Sequence, residues 1–203
     1  MIDVEHEVVE TYFESNGFLV RLAGRSTEEV SKRKISPLAT MAVYNPLVIR
    51  NSEDLSFRLF TSDLGKVKSA MVSRLSWEST SFSTSILNSD SRILKFIKQE
   101  ASPERFSIGF NPAPDLAESR MGDYLRLLVV PSLPGNQEKV NEVFTFLREC
   151  GVDGVLTLSS MLENLLRQTN SSYDYKGKGV FHLLKLLKVY QLAREPQLDI
   201  FGE

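Results

Sequence analysis

The sequence predicts an α/β fold in which a central mixed β-sheet is flanked by helices, and three observations carry that expectation. The chain opens on "DVEHEVVETYFESNG", where Val4, Val8, Val9, Tyr12 and Phe13 recur at helical spacing among acidic residues. Extended segments follow, among them "PLATMAVYNP" and "KVKSAMVSRLSW". The second half then alternates strand and helix, the rhythm of a parallel crossover onto one sheet.

At 203 residues the chain is long enough for a single domain that buries roughly 70% of its unfolded surface. We place that domain at residues 1–195, with a short tail at 196–203. With 42% hydrophobic and 25% charged residues the composition is that of an ordinary globular protein. A net charge of −2 argues against indiscriminate nucleic-acid binding but leaves room for a local basic stripe. No apolar run approaches membrane-spanning length, and "MIDVEHEVVE" is too acidic for a targeting leader, so a cytoplasmic protein without a membrane partner is expected. Cys150 is the only cysteine, and with only His6 and His182 beside it the chain has no Cys/His zinc set and no disulfide. No cofactor is expected.

Each element has its own signal. Gly17 stops the first helix, and "FLVRLAG" reads as a strand. "RSTEEVSKRK" is a polar loop, and Asn45-Pro46 closes the second strand. "SFRLF" and "KVKSAMVSRLSW" read as a hairpin about residues 61–65, whose Asp63 and Gly65 favour a turn. "SRILKFIKQE" is a short helix and "FNPAPDLAESRMG" is irregular. "DYLRLLVVP" is apolar almost throughout, as in a strand covered on both faces. The amphipathic "NQEKVNEVFTFLREC" is a helix stopped by Gly151, and "DGVLTL" is a second buried strand. Ser160 and Glu163 have capping-box spacing for the helix "SMLENLLRQ". The last helix, "VFHLLKLLKVYQLA", is apolar around most of its girth, with His182, Lys185 and Lys188 as a narrow polar stripe. It must lie inside the domain or supply a symmetric homodimer contact.

In this order the first eighty residues resemble the restriction-endonuclease-like superfamily, the PD-(D/E)XK nucleases. The likeness is to members in which such a helix precedes a strand Asp-Leu-Leu-Ala-Val-Asn-Pro and a later strand Val-Val-Ser-x-Lys-Ser-Trp; here they read "ATMAVYNP" and "MVSRLSW". The resemblance implies a phosphodiester-cleaving site in which an Asp and a second acid hold a divalent metal beside a Lys. Laid on this chain, those positions are Ala39, Ser73 and Leu75. Ala39 has no ligand atom, Leu75 has no charge, and Ser73 is a weak neutral ligand. Displaced carboxylates at Glu10 or Glu78 are the remaining acids, so an active Mg2+- or Mn2+-dependent endonuclease is the alternative to a degenerate one. Ser73, Leu75 and Trp77 could equally be plain strand and core residues of an unrelated α/β protein.

If cleavage is gone, binding can remain. Lys66, Lys68 and Arg74 fall on one strand face, and Lys32, Arg33 and Lys34 form a basic run in the preceding loop; both are candidate phosphate contacts. Solvated lysines guarding a sheet are the competing explanation. In the tail, Gln197, Leu198, Asp199, Ile200 and Phe201 resemble the Gln-Leu-(Ser/Asp)-Leu-Phe peptide by which bacterial replication and repair proteins hold the sliding clamp. The likeness implies a clamp partner; the same residues could instead fold back as a latch. The expected function is a catalytically inactive, nuclease-like accessory protein in DNA replication, repair or defence, with a structural dimerising subunit as a third possibility.

Overall fold

The computed structural model describes residues 4–22, 38, 40–75, 83–110 and 123–193. Its elements are helix α1 (Val4–Ser15), strands β1 (Leu19–Leu22), β2 (Thr40–Tyr44) and β3 (Ser69–Arg74), then helices α2 (Thr84–Leu87), α3 (Asp90–Glu100) and α4 (Pro103–Gly109). Strand β4 (Leu125–Val130), helix α5 (Gln137–Glu149), strand β5 (Gly154–Thr157) and helices α6 (Leu158–Gln168) and α7 (Gly179–Val189) follow.

The five strands form one mixed sheet in sequence order. Pairing is antiparallel from β1 to β2 and β2 to β3, then parallel from β3 to β4 and β4 to β5. The register aligns Thr40 with Ser73 and Met41 with Val72. Because strand side chains alternate, the sheet divides its core in two. One face carries Met41, Val43, Ala70, Val72, Leu127 and Val129 and is covered by α1, α6 and α7. The other carries Ala42, Met71, Leu75, Leu128 and Val130 and is covered by α3, α4 and α5. The α/β expectation, with a mixed sheet between helices, therefore holds.

Local signals account for most element ends. Val8, Val9, Tyr12 and Phe13 of α1 are buried, while Glu5 and Glu7 lie in its first turn, where carboxylates suit the helix dipole. Gly17 takes φ +88 just beyond this helix, and Gly151 takes φ +85 after α5, both in the left-handed region that favours glycine. The run at 127–130 is buried on both faces between two parallel neighbours, as its apolar sequence predicts.

Two local expectations are corrected. Residues 56–60 form no hairpin with β3, because both edges of β3 are taken by β2 and β4. This segment instead crosses to the outer side of β5, where Arg58 makes a parallel bridge to Val155. The Val155 amide donates to the Phe57 carbonyl at 2.7 Å, and the Leu59 amide to the Val155 carbonyl at 2.9 Å. Phe57 is drawn there by the Phe144 ring, 5.0 Å between centroids, and by the Arg148 guanidinium above it at 4.3 Å. Residues of the expected turn coil into a 3₁₀ segment, Thr61–Lys66.

The second correction concerns α6, which starts at Leu158 and is capped by Thr157, whose hydroxyl accepts from the Ser160 amide at 3.2 Å. Ser160 lies inside the helix and returns a hydrogen bond to the Thr157 carbonyl. Thr157→Ala is expected to lower stability by about 1 kcal/mol in urea unfolding, and Glu163→Ala by clearly less; equal losses would restore the cap to Ser160.

Helix α7 does not lie wholly inside the domain. Val180, Phe181 and Leu184 are buried in the core shared with α1 and α6, while Leu183, Leu186, Val189 and Tyr190 remain exposed. The expected polar stripe is in use: Lys185 Nζ donates to the Tyr173 carbonyl and Lys188 Nζ to the Thr169 carbonyl, both at 2.8 Å. Among the described residues no helix is long and apolar enough to cross a membrane.

Candidate functional site

Two of the three nuclease-like positions, Ser73 and Leu75, lie at the carboxyl end of β3. Ser73 pairs in register with Thr40, so the two side chains share a face, and their hydroxyl oxygens lie 2.7 Å apart in full burial. Thr40 also donates to the Leu38 carbonyl at 3.3 Å, which leaves Ser73 as donor to Thr40. Helix α4 seals the pair at Gly109: a Cβ there would stand 3.1 Å from Ser73 Oγ and 3.3 Å from Thr40 Oγ1. A side chain at 109 would have to push these two hydroxyls back by a few tenths of an ångström. Leu75, two residues on, is buried with Leu38, Ala42 and Met71, and its amide donates to the Val129 carbonyl at 2.9 Å. Two neutral hydroxyls satisfying each other in buried surroundings make a packing contact and, among the described residues, present no charge to a cation.

Arg74 faces the other way. Its guanidinium lies 3.6 Å from the Glu5 carboxylate of α1, with side-chain exposures of 7% and 11%. Arg74 therefore does not stand with Lys66 and Lys68 as an exposed phosphate contact; burial and pairing have claimed it. Glu10 is half-buried on α1, and the sheet separates that helix from the face bearing Ser73. Glu10 and Ser73 are not brought together.

Lys66 ends the 3₁₀ segment in an exposed position, and Lys68 borders a cleft of about 680 Å³ together with Arg50, Leu59, Asp123, Leu127 and Asp153. This cleft lies at the amino-terminal ends of the parallel strands. At about 3.3 Å per residue, Lys68 is roughly 20 Å along the strand from Arg74. Asn51 holds the overlying loop: its side-chain oxygen accepts from the Lys68 amide at 2.7 Å, and its nitrogen donates to the Asp123 carbonyl at 2.8 Å. The basic positions are thus divided between the two ends of β3.

Ala39, Glu78, Trp77, the run Lys32, Arg33 and Lys34, and the tail residues Gln197, Leu198, Asp199, Ile200 and Phe201 lie outside the described residues. Among the described residues, no three His, Cys, Asp or Glu side chains are placed to hold a metal ion. Cys150 is half-buried, and burial pushes its thiol above the ordinary cysteine value, which suits a packing residue better than a nucleophile.

Comparison with protein-family models, curated proteins and solved structures finds no match for this chain. The functional reading accordingly rests on geometry. Three residues that shape the site, Thr40, Gly109 and Glu5, escape the sequence reading. Thr40 alone had a signal, since it follows the Asp position immediately and alternation places it across from Ser73 once β2 and β3 are paired.

Proposed function

We propose that the chain is a nuclease-like accessory protein of DNA replication, repair or defence that has no phosphodiester-cleaving chemistry and works through binding. The observation that carries this reading is the buried Thr40–Ser73 hydroxyl pair at the position where the resemblance puts a metal-holding acid. The element order supports it: a helix, three antiparallel strands and then a strand-helix-strand run joined in parallel are compatible with a restriction-endonuclease-like core. DNA contacts fall to Lys66 and Lys68 and to Lys32, Arg33 and Lys34, and the tail at Gln197, Leu198, Asp199, Ile200 and Phe201 takes a sliding clamp. The rival endonuclease reading would route a metal through Glu10 or Glu78, and the position of Glu10 across the sheet from Ser73 weighs against the first of these.

The test is direct. Purified protein incubated with single-stranded, double-stranded and branched DNA in Mg2+ or Mn2+ is expected to leave every substrate intact. Cleavage that vanishes in Glu10→Ala or Glu78→Ala would replace this reading with the endonuclease.

A further inference from the structure

Between α2 and α3 lies a cleft of about 420 Å³ that the proposed function leaves unused. Helical spacing sets the wall that α3 gives it. Ile93, Phe96 and Ile97 turn into the core, which leaves Arg92, Lys95 and Gln99, at i, i+3 and i+7, exposed along one flank. Ser83 and Ser85 line the cleft from the α2 side.

Inside the cleft the hydrogen bonds leave a surplus of donors. Arg92 Nη1 donates to Ser85 Oγ at 2.9 Å, and the two serine oxygens lie 2.8 Å apart. Two hydroxyls hold two protons, and the bond between them uses one. Whichever serine carries the other proton, no acceptor for it stands among the described residues. Lys95 makes neither a hydrogen bond nor an ion pair among those residues. The nearby carboxylates are engaged elsewhere. Glu100, the one acid among the described lining residues, accepts from Arg105 Nη1 at 2.9 Å. Asp90, at the start of α3, accepts from the Gly135 and Asn136 amides, both at 2.8 Å, and Glu142 of α5 pairs with Lys98.

Two cations and a spare hydroxyl proton ask for a group that only accepts and carries more than one negative charge. A terminal phosphate fits, with about −2 charge at neutral pH and three acceptor oxygens. A carboxylate or a phosphodiester brings a single charge and leaves one cation unmatched. We propose that the cleft between α2 and α3 receives a terminal phosphate group, with Arg92 and Lys95 as its counter-charges and the Ser83–Ser85 pair as its hydroxyl donor. A free nucleotide and the 5′-phosphorylated end of a DNA strand share this chemistry. The site uses none of the basic residues assigned above to DNA and stands whether or not those contacts are made.

The experiment is calorimetry of the full-length protein with adenosine 5′-monophosphate, and with one single-stranded oligonucleotide bearing either a 5′-phosphate or a 5′-hydroxyl. Lys95→Gln removes a charge that has no described partner, and is expected to keep the native circular-dichroism spectrum while weakening binding by about tenfold. Arg92→Gln with Lys95→Gln is expected to abolish it. Lys98→Gln takes the same charge from the same helix outside the cleft, and is expected to leave affinity unchanged. Saturable binding of the nucleotide assigns the site to a free phosphate ester; preference for the phosphorylated oligonucleotide, with the nucleotide inert, assigns it to a DNA end. Either result upholds the site. No binding of any probe, equal binding of the two oligonucleotides with the nucleotide inert, or affinity unmoved in the Arg92 and Lys95 double variant would overturn it.

Discussion

Removing either member of the Glu5–Arg74 pair is expected to destabilise the protein by about 3–5 kcal/mol, the largest single-residue effect we predict outside the aromatic core. The two charges lie 3.6 Å apart between α1 and β3, almost wholly out of water. Truncating one takes a close counter-charge from the other in a nearly dry setting, where the interior offers little dielectric relief. Replacing both by apolar groups of similar length, Glu5→Leu with Arg74→Met, removes the desolvation cost along with the attraction, and is expected to come within about 1 kcal/mol of the parent. Urea unfolding of the two single variants, the parent and the double variant closes the cycle. Single losses below about 1 kcal/mol would show that water reaches the pair and that it is ordinary surface electrostatics.

The second large effect follows from trying to rebuild a nuclease centre. Ala39→Asp, Ser73→Glu and Leu75→Lys together restore the acid, acid and lysine that the resemblance calls for. In this fold the last two charges would enter a closed core beneath Gly109 of α4. A buried unpaired carboxylate or ammonium costs several kcal/mol even after relaxation. Ser73→Glu with Leu75→Lys is therefore expected to cost more than about 4 kcal/mol, a large part of the stability of an ordinary domain. Soluble, cooperatively folded protein carrying the triple change, with Mn2+ bound between the two introduced acids, would refute the closed-core geometry. As a control, Thr40→Ala with Ser73→Ala removes donor and acceptor together and should cost less than either single change suggests, since neither hydroxyl is left unmatched.

The elements legible in the sequence are those whose signal is local. The apolar run at 127–130 announces a covered strand, and glycines at 17 and 151 mark helix ends that adopt positive φ. The half-buried helices α3 and α5 show their inward faces as periodic Ile93, Phe96 and Ile97, and Val140, Val143 and Leu147. What could not be read depends on partners distant in the chain. Residues 56–60 look like one arm of a hairpin, and only the occupancy of both edges of β3 sends them elsewhere. Arg74 reads as an exposed base until Glu5 is placed opposite it. Ser73 reads as a lost ligand, yet nothing in "MVSRLSW" tells that Thr40 and a glycine will enclose it. For α7 the sequence shows an excess of apolar surface, while which part is covered is decided by α1 and α6.

The bridge between Arg58 and Val155 bears on the order in which the molecule assembles. Its two residues are roughly a hundred positions apart, so it closes one of the longest loops in the chain, and such contacts come at a high entropic cost early in folding. The β2–β3 pairing, far more local, can form first; the outer flank of β5 waits until α5 has delivered Phe144 and Arg148 to receive Phe57. Until then β5 presents an unpaired backbone edge able to recruit another chain. The segment at 57–59 thus closes an edge of β5 that would otherwise stand open to another chain.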